Sequence, residues 1–132
     1  MENLEGLKME FILIVAAVYN LIGALTMWFQ APVLQPDSGP PPQDYMQYRI
    51  FTGGTAFLFG VIYTYVFFVP ELAVPLLVFG IALKLWSFVS SLICYKKYNF
   101  PKDDFLKVGV GNLVFSVLLI IYLLTLTISN TI

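Results

Sequence analysis

Four long apolar runs leave this chain little choice of architecture. They lie at roughly 9–30, 47–69, 71–95 and 104–129, and about 20 apolar residues suffice to cross a bilayer as a helix. Charge is confined to the short segments between them. Only 11% of the 132 residues are charged, where a soluble domain carries about 25%. Mean hydropathy is +0.84. The expected fold is all-α: one domain over residues 1–132, a polytopic membrane protein built as an antiparallel four-transmembrane-helix bundle.

Composition excludes several kinds of chemistry. The chain has no histidine and one cysteine. Histidine acid–base catalysis, an intrachain disulfide and Cys or His metal clusters are therefore out of reach. No metal or other cofactor is expected. A net charge of −1 gives no nucleic-acid signal. The N-terminal "MENLEGLKME" is acidic, whereas a secretory leader begins basic, so the first run reads as a retained membrane helix.

Punctuation sets the connections. Helix 1 ends near Trp28, and "QAPVLQPDSGPPPQDYMQ" follows, a proline-rich loop over 31–46 in which Pro40-Pro41-Pro42 favours extended polyproline geometry. Helix 2 turns tightly into helix 3 at Pro70-Glu71. Pro75 falls in or near the first turn of helix 3, where its missing N–H costs little. The polar linker "KKYNFPKDD" leads to helix 4, with Asp103 and Asp104 at its N-terminus.

Short connections make successive helices antiparallel neighbours. The loop face then carries Arg49, Lys96, Lys97, Lys102 and Lys107, and the terminal face only Lys8. Lysine and arginine concentrate on the cytoplasmic side. Loops 31–46 and 96–104 are expected in the cytoplasm and both termini outside, as in a bacterial inner-membrane protein.

Helical spacing gives each helix one small-or-polar stripe. These are Ala16, Asn20, Gly23 and Met27; Arg49, Gly53, Ala56, Gly60 and Tyr63; Gly80, Lys84, Ser87 and Ser91; and Gly109, Asn112 and Ser116. Turning all four inward lets the helices approach over small residues and bond through polar ones. Gly53, Gly54, Gly60, Gly80, Gly109 and Gly111 read as contact points, and Ser87, Ser90 and Ser91 as bonded to their own helix. Asn20 and Asn112 either bond one another or belong to a binding site.

Lys84 resists a packing explanation. A lysine at the middle of a membrane helix costs about 3 kcal/mol on insertion scales. Both helix ends are roughly 15–20 Å away, at about 1.5 Å per residue. Glu10, Glu71, Asp103 and Asp104 all lie near helix ends, so no acid of this chain is expected beside it. Four readings remain: the lysine snorkels in a wet crevice, has given up its proton, meets an anionic or electron-rich ligand, or pairs with an acid of a partner subunit. With Asn20, Asn112, Arg49, Tyr48 and Ser87 it outlines a cationic funnel that opens toward the proline-rich loop, which would act as a lid. Tyr63, Trp86 and Phe88 would accept an apolar tail. On this reading Lys84→Met stabilises the fold and abolishes ligand capture. Cys94, at a membrane edge beside Lys96 and Lys97, reads as an inert thiol.

The stretches "VYNLIG", "YRIFTGGTAFLFGVIY", "GIALKLW" and "GVGNLVFS" resemble the small four-helix bacterial membrane proteins grouped as DoxX-like. That resemblance implies an integral membrane protein of the same architecture and makes Asn20, Lys84 and Asn112 its positions of interest. The namesake members are associated with quinone-linked sulfur oxidation, as a subunit beside other chains. Small multidrug exporters, sterol-isomerase-like bundles, vitamin K reductase-type enzymes and claudins each need an acid, histidine or cysteine that is missing here.

Two functions follow. One is a non-catalytic membrane protein whose intrabundle cationic pocket, formed by Lys84, Asn20, Asn112, Arg49, Tyr63 and Ser87, binds a lipid or a quinone-like or anionic amphiphile. The other is an accessory structural subunit of a larger membrane complex, respiratory or redox, in which Lys84 pairs with a partner's acid. Expected partners are membrane lipids, a quinone-like ligand, and hetero-subunits or further copies of the chain. An enzyme ranks behind both, because proton transfer needs a second titratable group and only tyrosines are available inside.

Overall fold

The computed structural model describes residues 4–29 and 44–131, and these are helical almost throughout. Helix α1 covers Leu4–Phe29, α2 Tyr45–Phe68 and α3 Ala73–Lys97. A fourth rod, α4, runs without a break through one α-helical turn (Lys102–Asp104), a π-helical stretch (Phe105–Val110) and a long α-helix (Gly111–Thr131). The segments Met9–Phe29, Tyr45–Phe68, Pro70–Lys97 and Lys102–Ile128 are each long and apolar enough to cross a membrane. The molecule is an all-α four-helix bundle of the kind that fits an integral membrane protein. Most of the proline-rich loop, and the lid expected of it, lies outside the described residues.

The ends of the helices follow local chemistry. Helix α1 starts before its apolar run, at Leu4, which takes Glu10 into the helix near one end of the span. Pro70–Leu72 forms a single 3₁₀ turn, so α3 begins at Ala73 rather than at residue 71. Pro75 is then its third residue, where an N–H has no intrahelical partner to lose. Helix α3 ends at Lys97, and Asn99 just beyond its cap is in the left-handed region at φ 57°. Phe100 N–H reaches back to Cys94 O at 3.1 Å, a bond that wraps the chain over the helix end around a left-handed residue, a place where Asn is tolerated. Pro101 stops the chain there and opens α4, with Asp103 and Asp104 in its first turn.

Helix α1 packs most extensively on α2 and α3 on α4, which makes two hairpins; α1 also meets α4, and the α2–α3 contact is thinner. The first hairpin is antiparallel: Asn20 bonds to Ala56, and Arg49 bonds to Thr26. Lipid tails are as apolar as leucine, so hydrophobicity alone does not hold membrane helices together. Close approach over small residues does part of the work. At Gly60 an added Cβ would sit 3.3 Å from Ala17 O and 3.4 Å from Asn20 Cβ. Gly23 and Gly54, expected to face inward, have open space around them. The buried row of α1 is instead Leu13, Ala16, Asn20 and Ala24.

Core and surface divide by depth. Leu13, Ala16, Tyr63, Val66, Ala73, Leu77, Leu119 and Tyr122 form an apolar core in the half of the bundle nearer the termini. Large apolar side chains such as Phe11, Ile22, Leu58, Phe79 and Trp86 point outward, as a lipid-facing surface requires. Trp86, at 63% exposure, is therefore not part of the interior where an apolar tail was expected to meet it.

Leucine at Gly60 must push α1 away from α2, whereas leucine at Gly23 meets nothing. We expect Gly60→Leu to lower stability by about 1–3 kcal/mol, the usual range for overpacking. Gly23→Leu should leave the melting temperature in detergent unchanged, and equal melting of the two variants would contradict this packing.

Candidate functional site

The middle of the bundle is polar, and Lys84 is at its centre. The side chain is only 2% exposed. Its residue lies 11 positions from the start of α3 and 13 from its end, close to mid-membrane. The ammonium donates to Asn20 Oδ1 at 2.8 Å and to Asn112 Oδ1 at 3.1 Å. It therefore joins α3 to α1 and to α4. Tyr19, Tyr63 and Phe115 place their ring centroids 5.0, 5.4 and 5.4 Å from Nζ, within the range of cation–π attraction.

Each asparagine is oriented so that its oxygen is the atom that meets the lysine. Asn20 Nδ2 donates to Ala56 O at 3.0 Å. Asn112 Nδ2 donates to Val108 O at 2.7 Å and to Ser87 Oγ at 3.0 Å. With the amide hydrogens engaged elsewhere, both carbonyl oxygens turn toward Nζ. The asparagines do not bond one another; Lys84 stands between them. Ser87 serves α4 through Asn112, while Ser90 bonds its own helix at Ser87 O.

The rings are seated by glycine and by main-chain carbonyls. Tyr63 lies against Gly80, where a Cβ would meet its Cε1 at 2.8 Å, and its hydroxyl donates to Gly80 O at 3.4 Å. Tyr19 lies against Gly111 and donates to Lys107 O at 2.6 Å. The π-helical stretch makes that carbonyl available. Gly111 N–H bonds to Leu106 O, five residues back, as well as to Val108 O. An α-helix would send it to Lys107 O, four back. Tyr19 also packs on Phe115, with ring centroids 4.7 Å apart.

The structure thus gathers Lys84, Asn20, Asn112, Tyr63 and Ser87, and it leaves out Arg49. The Arg49 guanidinium donates to Thr26 O at 2.9 Å and to Tyr45 Oη at 3.4 Å. It sits seven residues from Ala56, roughly 10 Å along α2, and with Trp28, which donates to Ile50 O, it fastens the loop end of α1 to α2. Tyr48, the other loop-end residue of the expected funnel, is exposed. Tyr19, Phe115 and the carbonyls of Ala56 and Lys107 were not anticipated. Two signals pointed to the rings: Tyr19 adjoins Asn20, and Phe115 is one turn from Asn112. Among the described residues no three His, Cys, Asp or Glu side chains come together as a metal site.

An ammonium has three hydrogens. Among the described residues its acceptors are the two amide oxygens, so the third hydrogen is left to the rings. No acid of the described residues is among its partners. The arrangement can hold a cation without a countercharge and can still donate one hydrogen bond. No family model, curated protein or solved structure matches the chain.

Removing Lys84 relieves a burial cost of about 3 kcal/mol but strands the amide oxygens of buried Asn20 and half-buried Asn112, at about 1–3 kcal/mol for each such group. Lys84→Met should therefore be near neutral for stability, not the stabilising change expected before the asparagines were seen on the lysine. A double-mutant cycle of Lys84→Met with Asn20→Leu should show a coupling of about 1–3 kcal/mol. A cycle of Lys84→Met with Arg49→Gln should be additive to within about 0.5 kcal/mol. Detergent-denaturant titration of the purified protein measures both.

Proposed function

We propose that this chain is a small, non-catalytic membrane protein that binds a hydrophobic molecule with an electron-rich head, a lipid or a quinone-like amphiphile, at Lys84. The observation that carries the reading is the Lys84 amine at mid-membrane. Among the described residues it meets two amide oxygens and three rings and no acid, and in its protonated form the hydrogen facing the rings can turn to a further acceptor. Intramembrane charges are rare and are by default candidates for function. A purely structural link between α1, α3 and α4 would be met at less cost by a neutral amide or hydroxyl.

The binding group we assign is Lys84 with Asn20, Asn112, Tyr63 and Ser87, joined by Tyr19 and Phe115. The resemblance to DoxX-like proteins implies the same positions of interest, Asn20, Lys84 and Asn112. We place the chain in a bacterial inner membrane, with the lysine-rich linker on the cytoplasmic side and the termini outside, on the lysine and arginine bias.

Purification in mild detergent followed by native mass spectrometry of protein and variant tests the proposal. Wild type should retain a stoichiometric amphiphile, and Lys84→Met should retain about tenfold less, the equivalent of one hydrogen bond to a charged donor. Equal retention would remove the reading. Copurification of a foreign subunit at fixed ratio, with one of its acids crosslinked to Lys84, would replace it with the accessory-subunit role.

A further inference from the structure

On its outer side the α1–α2 hairpin carries a groove of about 450 Å³, between residues 14–21 of α1 and 57–68 of α2. Its walls include Val18 and Val61, each 49% exposed, so it opens on the lipid-facing surface. Its floor includes Ala17 and Gly60. Thr64, its polar wall residue nearest that floor, turns its hydroxyl onto Gly60 O. The groove is therefore apolar where a chain would lie.

Its inner end reaches the level of Lys84. Asn20 Cβ is 3.4 Å from the position of a Cβ on Gly60, and Asn20 Oδ1 is the acceptor 2.8 Å from Nζ. Asn20 thus touches both the groove floor at Gly60 and the Lys84 amine. On the α1–α4 side Tyr19 is pinned to Lys107 O and packs on Phe115 at a tilt.

We propose, resting on the binding role of Lys84 given above, that the ligand is a single-chain lipophile with an uncharged carbonyl head. Its tail lies in the α1–α2 groove and its carbonyl oxygen takes the remaining ammonium hydrogen, with Asn20 as the movable wall between them. Depth decides the head chemistry. The groove runs from mid-membrane toward the terminal face, so the head is the deep end of the ligand. Bringing a phosphate or an ionised carboxylate to that depth carries a large desolvation cost, and two amide oxygens already serve the ammonium. A neutral carbonyl makes the missing bond without that cost.

Tryptophan quenching reads this directly. Trp28 packs on Phe57, a groove residue, with ring centroids 5.9 Å apart. In a Trp86→Phe background it is the single reporter. The detergent-solubilised protein is titrated with methyl 2,3-dibromostearate, whose bromines lie beside the head and so at the Phe57 end of the groove, with ionised 2,3-dibromostearate and with phosphatidylglycerol acylated by 2,3-dibromostearate. The methyl ester should quench saturably at one per chain and bind tightest of the three. Filling the groove with Val18→Phe and Val61→Phe, and separately Lys84→Met, should each weaken it about tenfold. Asn20→Ala, which opens the wall and removes one acceptor from the ammonium, should tighten it by a similar factor, and this variant keeps the test decisive if Lys84→Met does not fold. Tighter binding of the acid or the phospholipid overturns the neutral head. Unchanged binding on filling the groove overturns the tail site and leaves the role of Lys84 standing. Unchanged binding on Lys84→Met overturns both.

Discussion

A cation at the centre of a membrane must be solvated by the protein that carries it. Lys84 sets that demand, and much of the bundle is arranged to meet it. Asn20 and Asn112 supply oxygens from the two helices that flank α3 on its polar side, and each is aimed by a main-chain carbonyl that engages its nitrogen. Tyr63 and Tyr19 supply ring faces, and each needs a glycine at its back, Gly80 and Gly111. A few kcal/mol of electrostatics at one atom thus constrains side chains on all four helices. The apolar core near the termini carries no comparable specificity, since apolar packing competes with lipid on nearly equal terms.

The π-helical stretch in α4 belongs to the same arrangement. One added residue rotates everything beyond it by about 100° about the helix axis. The stretch ends at Val110, two residues before Asn112. It shifts the Gly111 N–H away from Lys107 O, and that carbonyl accepts the Tyr19 hydroxyl. Such bulges concentrate at functional sites, and this one fixes both the oxygen and the ring that the α1–α4 side presents to the ammonium.

The four-helix architecture was legible because bilayer thickness imposes run length, and the runs are uninterrupted. Lys84, Asn20, Asn112, Tyr63 and Ser87 were legible because polarity is conspicuous in an apolar helix and its spacing indicates a face. Arg49 was misassigned on the same logic: facing inward on α2 does not bring it to the depth of Lys84, and a loop-end carbonyl on α1 satisfies it instead. Gly23 and Gly54 failed for a related reason, since a small residue permits close approach without requiring it. The π-helical register of Phe105–Val110 was hidden. It depends on which carbonyl each amide chooses, and "FLKVGV" reads equally well as an ordinary turn of helix.

The seating of the tyrosines bears on binding against catalysis. Both hydroxyls near Lys84 are spent on main-chain carbonyls, Tyr19 on Lys107 O and Tyr63 on Gly80 O. What they turn toward Nζ is their rings. Proton transfer needs the hydroxyl within hydrogen-bond reach of the group that gains or loses the proton, whereas holding a cation needs only the ring face. The same two residues would have to leave their glycine seats and their carbonyl partners to act as acid or base. The resting geometry offers Nζ ring faces rather than hydroxyls, an arrangement in keeping with the proposed binding role.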